Sequence, residues 1–399
     1  QSLLPPYGRG RHERAHQAHI ARMIPYSTQE IADADVKAVE RAVRHPYLTQ
    51  GPAIERFEKQ LAEAAGTKYA VAVSSGTAAL HAAYAATGIG KGDEVIVPAM
   101  TFAATANAVL YLGAVPVFAD VDPATGLIDV ADAERKITKK TKLLVSVDYS
   151  GRPAPYRALR ALAKKYKLAY VSDGAHSLGA TYYGQPVGGQ ADMTTFSFHP
   201  VKSIATGEGG AIATNDRALY EFLLMFRTHG ITKDPKKLTR DEGPWYQEMH
   251  ALGFNYRMTD IQAALGESQM KRLSAFIKKR RALAARYPKL LAKIPGIVLP
   301  PPERTNETSA WHLYPIQVDP KKRRAIFEAF RAAGIGVQVH YLPVYRHPYY
   351  ESIGYKKGLC LNAESFYARE ISIPIYPRLS KRDQDAVAHT LKNIFTDHA

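Results

Sequence analysis

A single cysteine, Cys360, occurs in the 399 residues, so no intramolecular disulfide can form and the usage fits a reducing compartment. The same scarcity argues against a zinc site built on cysteine. No apolar run reaches the roughly 18 to 20 residues needed to span a bilayer, and the N-terminus lacks the apolar centre of a signal peptide. No membrane association and a cytoplasmic location are therefore expected. Acidic residues are in deficit: 37 Asp and Glu stand against 53 Lys and Arg, for a formal net charge of +16. Such an excess suits nucleic acid, an anionic surface or a phosphorylated substrate. The basic residues are scattered through amphipathic segments, without a zinc-finger, RRM-like or basic-zipper pattern, so nucleic acid is not an expected partner. Convincing repeats and low-complexity tracts are also lacking.

What is present is a globular composition, 46% hydrophobic, with enough chain for one large domain and a smaller one, each with its own core. Residues 1–22, QSLLPPYGRGRHERAHQAHIAR, carry no sustained hydrophobic period and read as a disordered leader before Met23. Strands and helices then alternate with short links: YAVAVSS, GTAALHAAYAATG, EVIVPAM, TFAATANAVLYLG, VPVFADV, and onward to KLLVSVDY and AYVSDGA. That order predicts a mostly parallel, seven-stranded α/β sheet in a large domain over residues 23–265. The segment from Thr228 to Gly253 has no clear period and reads as a long functional loop or an interface.

Thr259 is placed to cap a long helical stretch that carries nine basic and no acidic residues between Lys271 and Lys293. Leu273, Phe276, Ile277, Leu283, Tyr287 and Leu291 fall on one side of it, so the basic residues read as a solvated face. This linking helix opens a small C-terminal domain, residues 266–399. There AWHLYPIQV, GVQVHYLP and SIPIY read as strands, with helices between and after them.

Chemistry concentrates around residues 192–210, DMTTFSFHPVKSIATGEGG, where the strand MTTFSF runs into a turn holding Lys202. An amine attacks carbonyls only when unprotonated, which desolvation in such a turn favours; the alternative is an ordinary surface lysine. SSGTAAL places Gly76 and Thr77 at a strand-to-helix turn able to bind phosphate, or simply to cap a helix. Asp173 follows the apolar strand AYV, in SDGAHS, where ligands meet open α/β sheets, and can either bind a ring nitrogen or cap the next turn. His176 reads as a polar core residue or a platform for a flat ring. Ser197 offers a second hydroxyl to a phosphate, and Phe102 covers one ring face or merely packs. In combination, phosphate donors, an acid, a flat surface and a lysine meet the needs of pyridoxal phosphate: the acid keeps the pyridine nitrogen protonated, and the lysine joins the cofactor covalently and shuttles protons.

At these residues the chain resembles the DegT/DnrJ/EryC1/StrS family of pyridoxal-phosphate nucleotide-sugar aminotransferases. The resemblance is carried by SSGTAAL, VPAMTFAATANAV, SDGAHSLGA, SFHPVK with TGEGGAI, and GFNYRMTDIQAALG. It implies the aspartate-aminotransferase-like fold of type I. Within the family, HPVKSIATGEGG, IPYSTQEI and VHYLPVYRHPYY are most similar to the transaminases of pseudaminic acid biosynthesis, which aminate C4 of a UDP-linked 4-keto-6-deoxy-N-acetylhexosamine. The resemblance makes Lys202 the catalytic lysine and Asp173 the partner of the pyridinium nitrogen. It assigns Gly76, Thr77 and Ser197 to the phosphate, together with Asn255 from a second subunit of a homodimer with shared active sites. Phe102 would stack on the ring, and His176 would sit near its hydroxyl, where many relatives carry glutamine. Tyr26, Gln50, His340 and Tyr345 fall in segments that line the sugar-nucleotide cleft of relatives, and Arg257 would meet the diphosphate. Glutamate is the expected amino donor. Some family members carry histidine in place of the lysine and act as dehydratases; Lys202 favours transamination. Two alternatives stay open: an aminotransferase for another nucleotide ketosugar (a dTDP- or GDP-4-keto-6-deoxyhexose, or a UDP-4-keto-pentose), and a catalytically silent, cofactor-binding regulatory protein.

Overall fold

A computed structural model of the chain describes residues 23–396; the expected leader, 1–22, lies outside the described residues. Seven strands form the central sheet: β1 (Tyr69–Val73), β2 (Glu94–Pro98), β3 (Val115–Ala119), β4 (Thr141–Val147), β5 (Ala169–Asp173), β6 (Met193–Ser197) and β7 (Gly210–Thr214). Their order is β1-β7-β6-β5-β4-β2-β3. Only β7 runs against its neighbours; β2 through β6 pair in parallel wherever they touch.

Because successive strand residues point to opposite faces, each strand feeds two cores. Ala70, Ala72, Ile96 and Leu144 face one core, while Val71, Val73, Val95, Val97, Leu143 and Val145 face the other. Helices α1 (Asp33–Val43), α2 (Pro52–Ala65), α3 (Gly76–Ala86), α4 (Ala104–Tyr111), α5 (Val130–Arg135), α6 (Tyr156–Tyr166) and α7 (Arg217–Phe226) link the strands or precede them. Phe57 and Leu61 of α2 and Leu159 of α6 cover the first face; Leu80 and Tyr84 of α3, Val109 of α4 and Leu223 of α7 cover the second. Between α7 and α8 (Asp260–Met270) the aperiodic segment holds a two-residue ladder, Ile231–Thr232 with Glu248–Met249.

Thr259 caps α8, its side chain accepting from the Gln262 amide while Gln262 reaches back to the Thr259 amide, a reciprocal arrangement worth about 1 kcal/mol. The helical stretch beyond is not continuous. It breaks before α9 (Leu273–Leu291), where the Arg272 guanidinium turns to Glu30 and Asp35 near the start of the chain. All six apolar residues expected on one side of α9 are buried. The solvated-face reading fails at Arg280, which is 1% exposed. Its guanidinium donates to the carbonyls of Ile375 (2.8 Å), Trp311 (3.2 Å), His312 (3.3 Å) and Val201 (3.4 Å).

The C-terminal third contains α10 (Arg323–Ala332), α11 (Pro348–Ser352), α12 (Leu361–Arg369), α13 (Lys381–Thr396) and a two-stranded antiparallel ladder of β8 (Tyr314–Gln317) with β9 (Glu370–Ile373). Leu283, Tyr287, Ile316, Phe330, Ile371 and Leu391 form its core, whereas Tyr345, Tyr350 and Phe366 pack into the large core instead. The expected strand GVQVHYLP is irregular. It makes one bridge, Gln338 with Ser372, and then leaves the ladder because the amide of His340 donates to the Glu370 carboxylate instead of a strand carbonyl (2.7 Å).

Candidate active site

The carboxyl ends of β2, β4, β5 and β6 open on one side of the sheet, where a cavity of 610 Å³ collects residues at or beyond those ends: Thr101 and Phe102, Val147, Asp173, Ser197, His199, Val201 and Lys202. Ligands of open α/β sheets bind in this position. The segments carrying Tyr26 and residues 338–341 close the opposite wall. Among the sequence candidates, Tyr26, Gly76, Thr77, Phe102, Asp173, His176, Ser197, Lys202 and His340 line this one cavity.

Lys202 sits in the turn between β6 and β7, its amide donating to the His199 carbonyl (2.9 Å). The neighbouring Val201 carbonyl is held by Ser27 and Arg280, which anchors the turn from two distant parts of the chain. Burial pushes the Lys202 ammonium down to about 8; Asp173 pulls the other way and Arg280 adds to the depression. An amine so placed is a competent nucleophile near neutral pH.

Asp173 is 5% exposed and held from two sides: Thr105 donates to Oδ2 (2.7 Å) and the Ala175 amide to Oδ1 (3.1 Å). Burial raises its carboxyl, and these two donors together with the charge of Lys202 draw it back. A cationic ring nitrogen placed against this group would stabilise its ionised form further.

At the start of α3, Ser75 caps the helix by accepting from the Ala78 amide (3.1 Å), and the N-terminus presents its first amides to the cavity beside the Thr77 and Ser197 side chains. A Cβ on Gly76 would stand 2.8 Å from Ser197 Cβ, so glycine is what lets this helix start lie against β6. His176 is buried and its ring is 4.2 Å from that of His312. Its Nε2 meets the Tyr341 hydroxyl (3.2 Å), while Nδ1 of both histidines has no protein partner. Gly151, at φ +95, runs between the two: a Cβ there would lie 2.9 Å from the His176 carbonyl and 3.0 Å from the His312 amide. Burial, with Lys202 close by, holds His176 well below its usual range, and burial, then His176 and Lys202, does the same for His312; both rings are neutral.

Four candidates lie elsewhere. Tyr345 does not reach the cleft: it is fully buried in the large core, its hydroxyl donating to Glu364 (2.7 Å). Gln50 and Asn255 are exposed, and Arg257 is half-buried; Asn255 and Arg257 bridge Thr228 and Val73 through their backbones. Phe102 stands 62% exposed at the mouth, edge-on to Tyr341 at 6.0 Å. The residues that sequence reasoning left out are Thr105, His312 and Tyr341. Thr105 lies inside the quoted motif VPAMTFAATANAV without a role attached. His312 is a polar residue within the apolar run AWHLYPIQV, a signal that was legible.

The arrangement fits pyridoxal phosphate: a lysine of lowered basicity, a braced acid, a helix start ready for a dianion, and two buried histidine nitrogens awaiting partners. The DegT/DnrJ/EryC1/StrS aminotransferase family matches residues 29–392. The chain is 39% identical over 377 residues to the spore coat polysaccharide biosynthesis protein SpsC of Bacillus subtilis, covering 93% of this chain and 97% of that one. It is 38% identical over 381 residues to the UDP-4-amino-4,6-dideoxy-N-acetyl-beta-L-altrosamine transaminase of Campylobacter jejuni, again covering 93% and 97%. Among solved structures, Helicobacter pylori PseC, an aminotransferase involved in the biosynthesis of pseudoaminic acid, superposes with a TM-score of 0.87 at 35% identity, covering 94% of this chain and all (100%) of that one. The PLP-form of the putative sugar aminotransferase Spr1654 from Streptococcus pneumoniae superposes at 0.89 with 30% identity, covering 94% and 100%. Fold, cavity and sequence agree over that whole length, and the chain is a PLP-dependent aminotransferase of the DegT/DnrJ/EryC1/StrS family.

Proposed function

We propose that the chain transfers an amino group from an amino acid, glutamate, to C4 of a UDP-linked 4-keto-6-deoxy-N-acetylhexosamine, as in pseudaminic acid biosynthesis. The observation that carries the reading is that Lys202 and Asp173, each within reach of the other's charge, line one cavity that also presents the α3 N-terminus. It is supported by the likeness to the C. jejuni transaminase and to PseC. Pyridoxal phosphate held here would supply an electron sink in its ring and an aldehyde carbon on which nitrogen is carried between donor and ketone.

Around that group the chain's own residues take separate tasks. Gly76, Thr77 and Ser197 hold the phosphate at the start of α3. Asp173, braced by Thr105, holds the ring nitrogen in its protonated state. Lys202 alternates between free amine and ammonium near neutral pH, so it can take a proton from one carbon and return it at C4 of the sugar. Tyr26, His340 and Phe102 face the space left for the sugar. Lys202 is the single lysine or arginine among the described residues lining the cavity. Anionic ends of donor and nucleotide therefore need a cation from outside that lining, and Arg257, with Asn255 and Gln50, is proposed to act on the site of a second copy in a homodimer. A cytoplasmic location accords with a nucleotide-linked substrate; among the described residues no helix is long and apolar enough to cross a membrane.

SpsC, as similar as the altrosamine transaminase, keeps a second sugar in view. Mass spectrometry of products from a panel of UDP-, dTDP- and GDP-linked ketosugars, with glutamate as donor, tests both. Amination of the UDP-linked 4-keto-6-deoxy-N-acetylhexosamine ahead of the others is expected. Failure with every UDP-linked sugar overturns the substrate.

A further inference from the structure

Glu370 is fully buried, 0% exposed, and lies behind the cavity wall, touching none of the residues assigned to the chemistry except His340. It opens β9, and Ser372, two residues on, shares its face of the strand. Both face the departing segment at 338–341. Glu370 Oε2 accepts the His340 amide (2.7 Å), Oε1 meets the Ser372 hydroxyl, and that hydroxyl meets His340 Nδ1 (2.8 Å). His340 itself is 7% exposed and lines the cavity, and no hydrogen bond is made by its Nε2 among the described residues.

Resting on the sugar-transfer reading above, we propose that Glu370 and Ser372 are positioning residues that select which ring nitrogen of His340 carries the proton, and so whether the imidazole meets the sugar as donor or acceptor.

The selection follows from counting protons. Ser372 has one. When Glu370 is ionised, Ser372 donates to Oε1 and must accept from His340 Nδ1–H, which leaves Nε2 a bare acceptor toward the cavity. When Glu370 is protonated, its proton sits on Oε1, because Oε2 is occupied by the amide. It then donates to Ser372, Ser372 donates to Nδ1, and the ring carries its proton on Nε2, a donor. The trio gains one proton: Nε2 takes it up from the cavity, the Nδ1 proton passes to the Ser372 oxygen, and the Ser372 proton passes to Glu370 Oε1.

The surroundings suit such a relay. Burial, with Lys202 facing it, pushes His340 down to about 3, so the ring is neutral and carries one proton. Tyr26 and Tyr341 stand beside that ring, at 5.7 and 4.8 Å between centroids, and a charge on it would further lower His176 and His312. Around Glu370, Arg323 from α10 favours ionisation, and Tyr149 and Tyr341 share its field. Burial prevails and pushes the carboxyl up to about 8, against the pull of Ser372, the His340 amide and Arg323. In the neutral range Nε2 is thus a donor, suited to a sugar carbonyl or phosphate oxygen; above that range it becomes an acceptor.

The test is nitrogen NMR of the holoenzyme labelled with 15N-histidine, comparing the wild type with Glu370→Gln. The glutamine amide oxygen keeps the His340 amide and its NH2 donates to Ser372, which locks the proton on Nε2. At about pH 9.5, above the titration of Glu370, the wild type is expected to carry the proton on Nδ1 and the variant on Nε2. The same tautomer in both at that pH overturns the proposal. Should the variant not fold, Ser372→Ala cuts the relay, and a His340 tautomer that still follows pH in that protein overturns it equally. In kinetics, the wild-type KM for the ketosugar should rise about tenfold from neutral pH to about pH 9.5 and the variant should lose that rise, with the donor half-reaction unchanged. The NMR result stands whatever sugar proves to be the substrate.

Discussion

Thr105 donates its hydroxyl proton to Oδ2 of Asp173 at 2.7 Å, joining residues 68 positions apart. Thr101 in turn lies 2.6 Å from Thr105, so a short hydroxyl chain from the start of α4 holds the acid at the cavity floor. Thr105→Val keeps the shape and removes the donor. A hydrogen bond to a charged group is worth about 1.5–3 kcal/mol. Cofactor affinity should therefore fall about 10- to 100-fold, with the thermal midpoint little changed. Titration of the apoprotein with pyridoxal phosphate, read by absorbance, measures this, and an unaltered Kd would remove Thr105 from the site.

Lys202→Ala should abolish the visible absorbance of the lysine-bound cofactor and reduce turnover by several orders of magnitude, since no other amine among the described residues lines the cavity. Turnover within tenfold of the wild type would refute the assignment.

The depressed Lys202 also sets a pH course. Its ammonium titrates at about 8, so the free-amine fraction grows roughly tenfold per pH unit below that point and levels above it, whereas an ordinary lysine would go on gaining to about 10.4. Stopped-flow rates of cofactor uptake by the apoprotein should rise toward pH 8 and then flatten. A rise continuing past pH 10 would show a solvated amine.

Gly76→Ala probes the phosphate corner. The new Cβ would stand 2.8 Å from Ser197 Cβ and 3.1 Å from its Oγ, forcing the hydroxyl away from the helix start. Binding of pyridoxal phosphate should weaken about tenfold while binding of unphosphorylated pyridoxal stays level, since one charged hydrogen bond is at stake. Equal losses for both ligands would point to damage elsewhere.

The sheet was legible because its strands are short apolar runs between glycine-rich turns, and because the residues that follow β1, β2, β5 and β6 fall into the one crevice such sheets possess. Lys202, Asp173, Gly76 and Ser197 are positions of this kind. What sequence could not carry was contact between remote segments. Tyr345 has the same local setting as a cleft residue, and only the packing of Tyr345 against Phe118 reveals it as core. Arg280 shares the helical period of Phe276, Ile277, Leu283 and Tyr287, so its place on the buried side was legible, but the four carbonyls distant in sequence that converge on it were not. GVQVHYLP has a strand's composition, and the carboxylate that diverts it lies thirty residues downstream.

Arg280 has a bearing on how this chain can be recombined. Its carbonyl partners come from the lysine turn, from the segment around Trp311 and from Ile375 after β9. A chimaera that exchanges the C-terminal third with a relative, to graft a new sugar preference, also exchanges three of the four carbonyls that fasten Arg280 beneath the nucleophile. Such a graft must import matching carbonyls along with the specificity loops; otherwise the transplanted part alters the chemistry of a lysine that it never encodes.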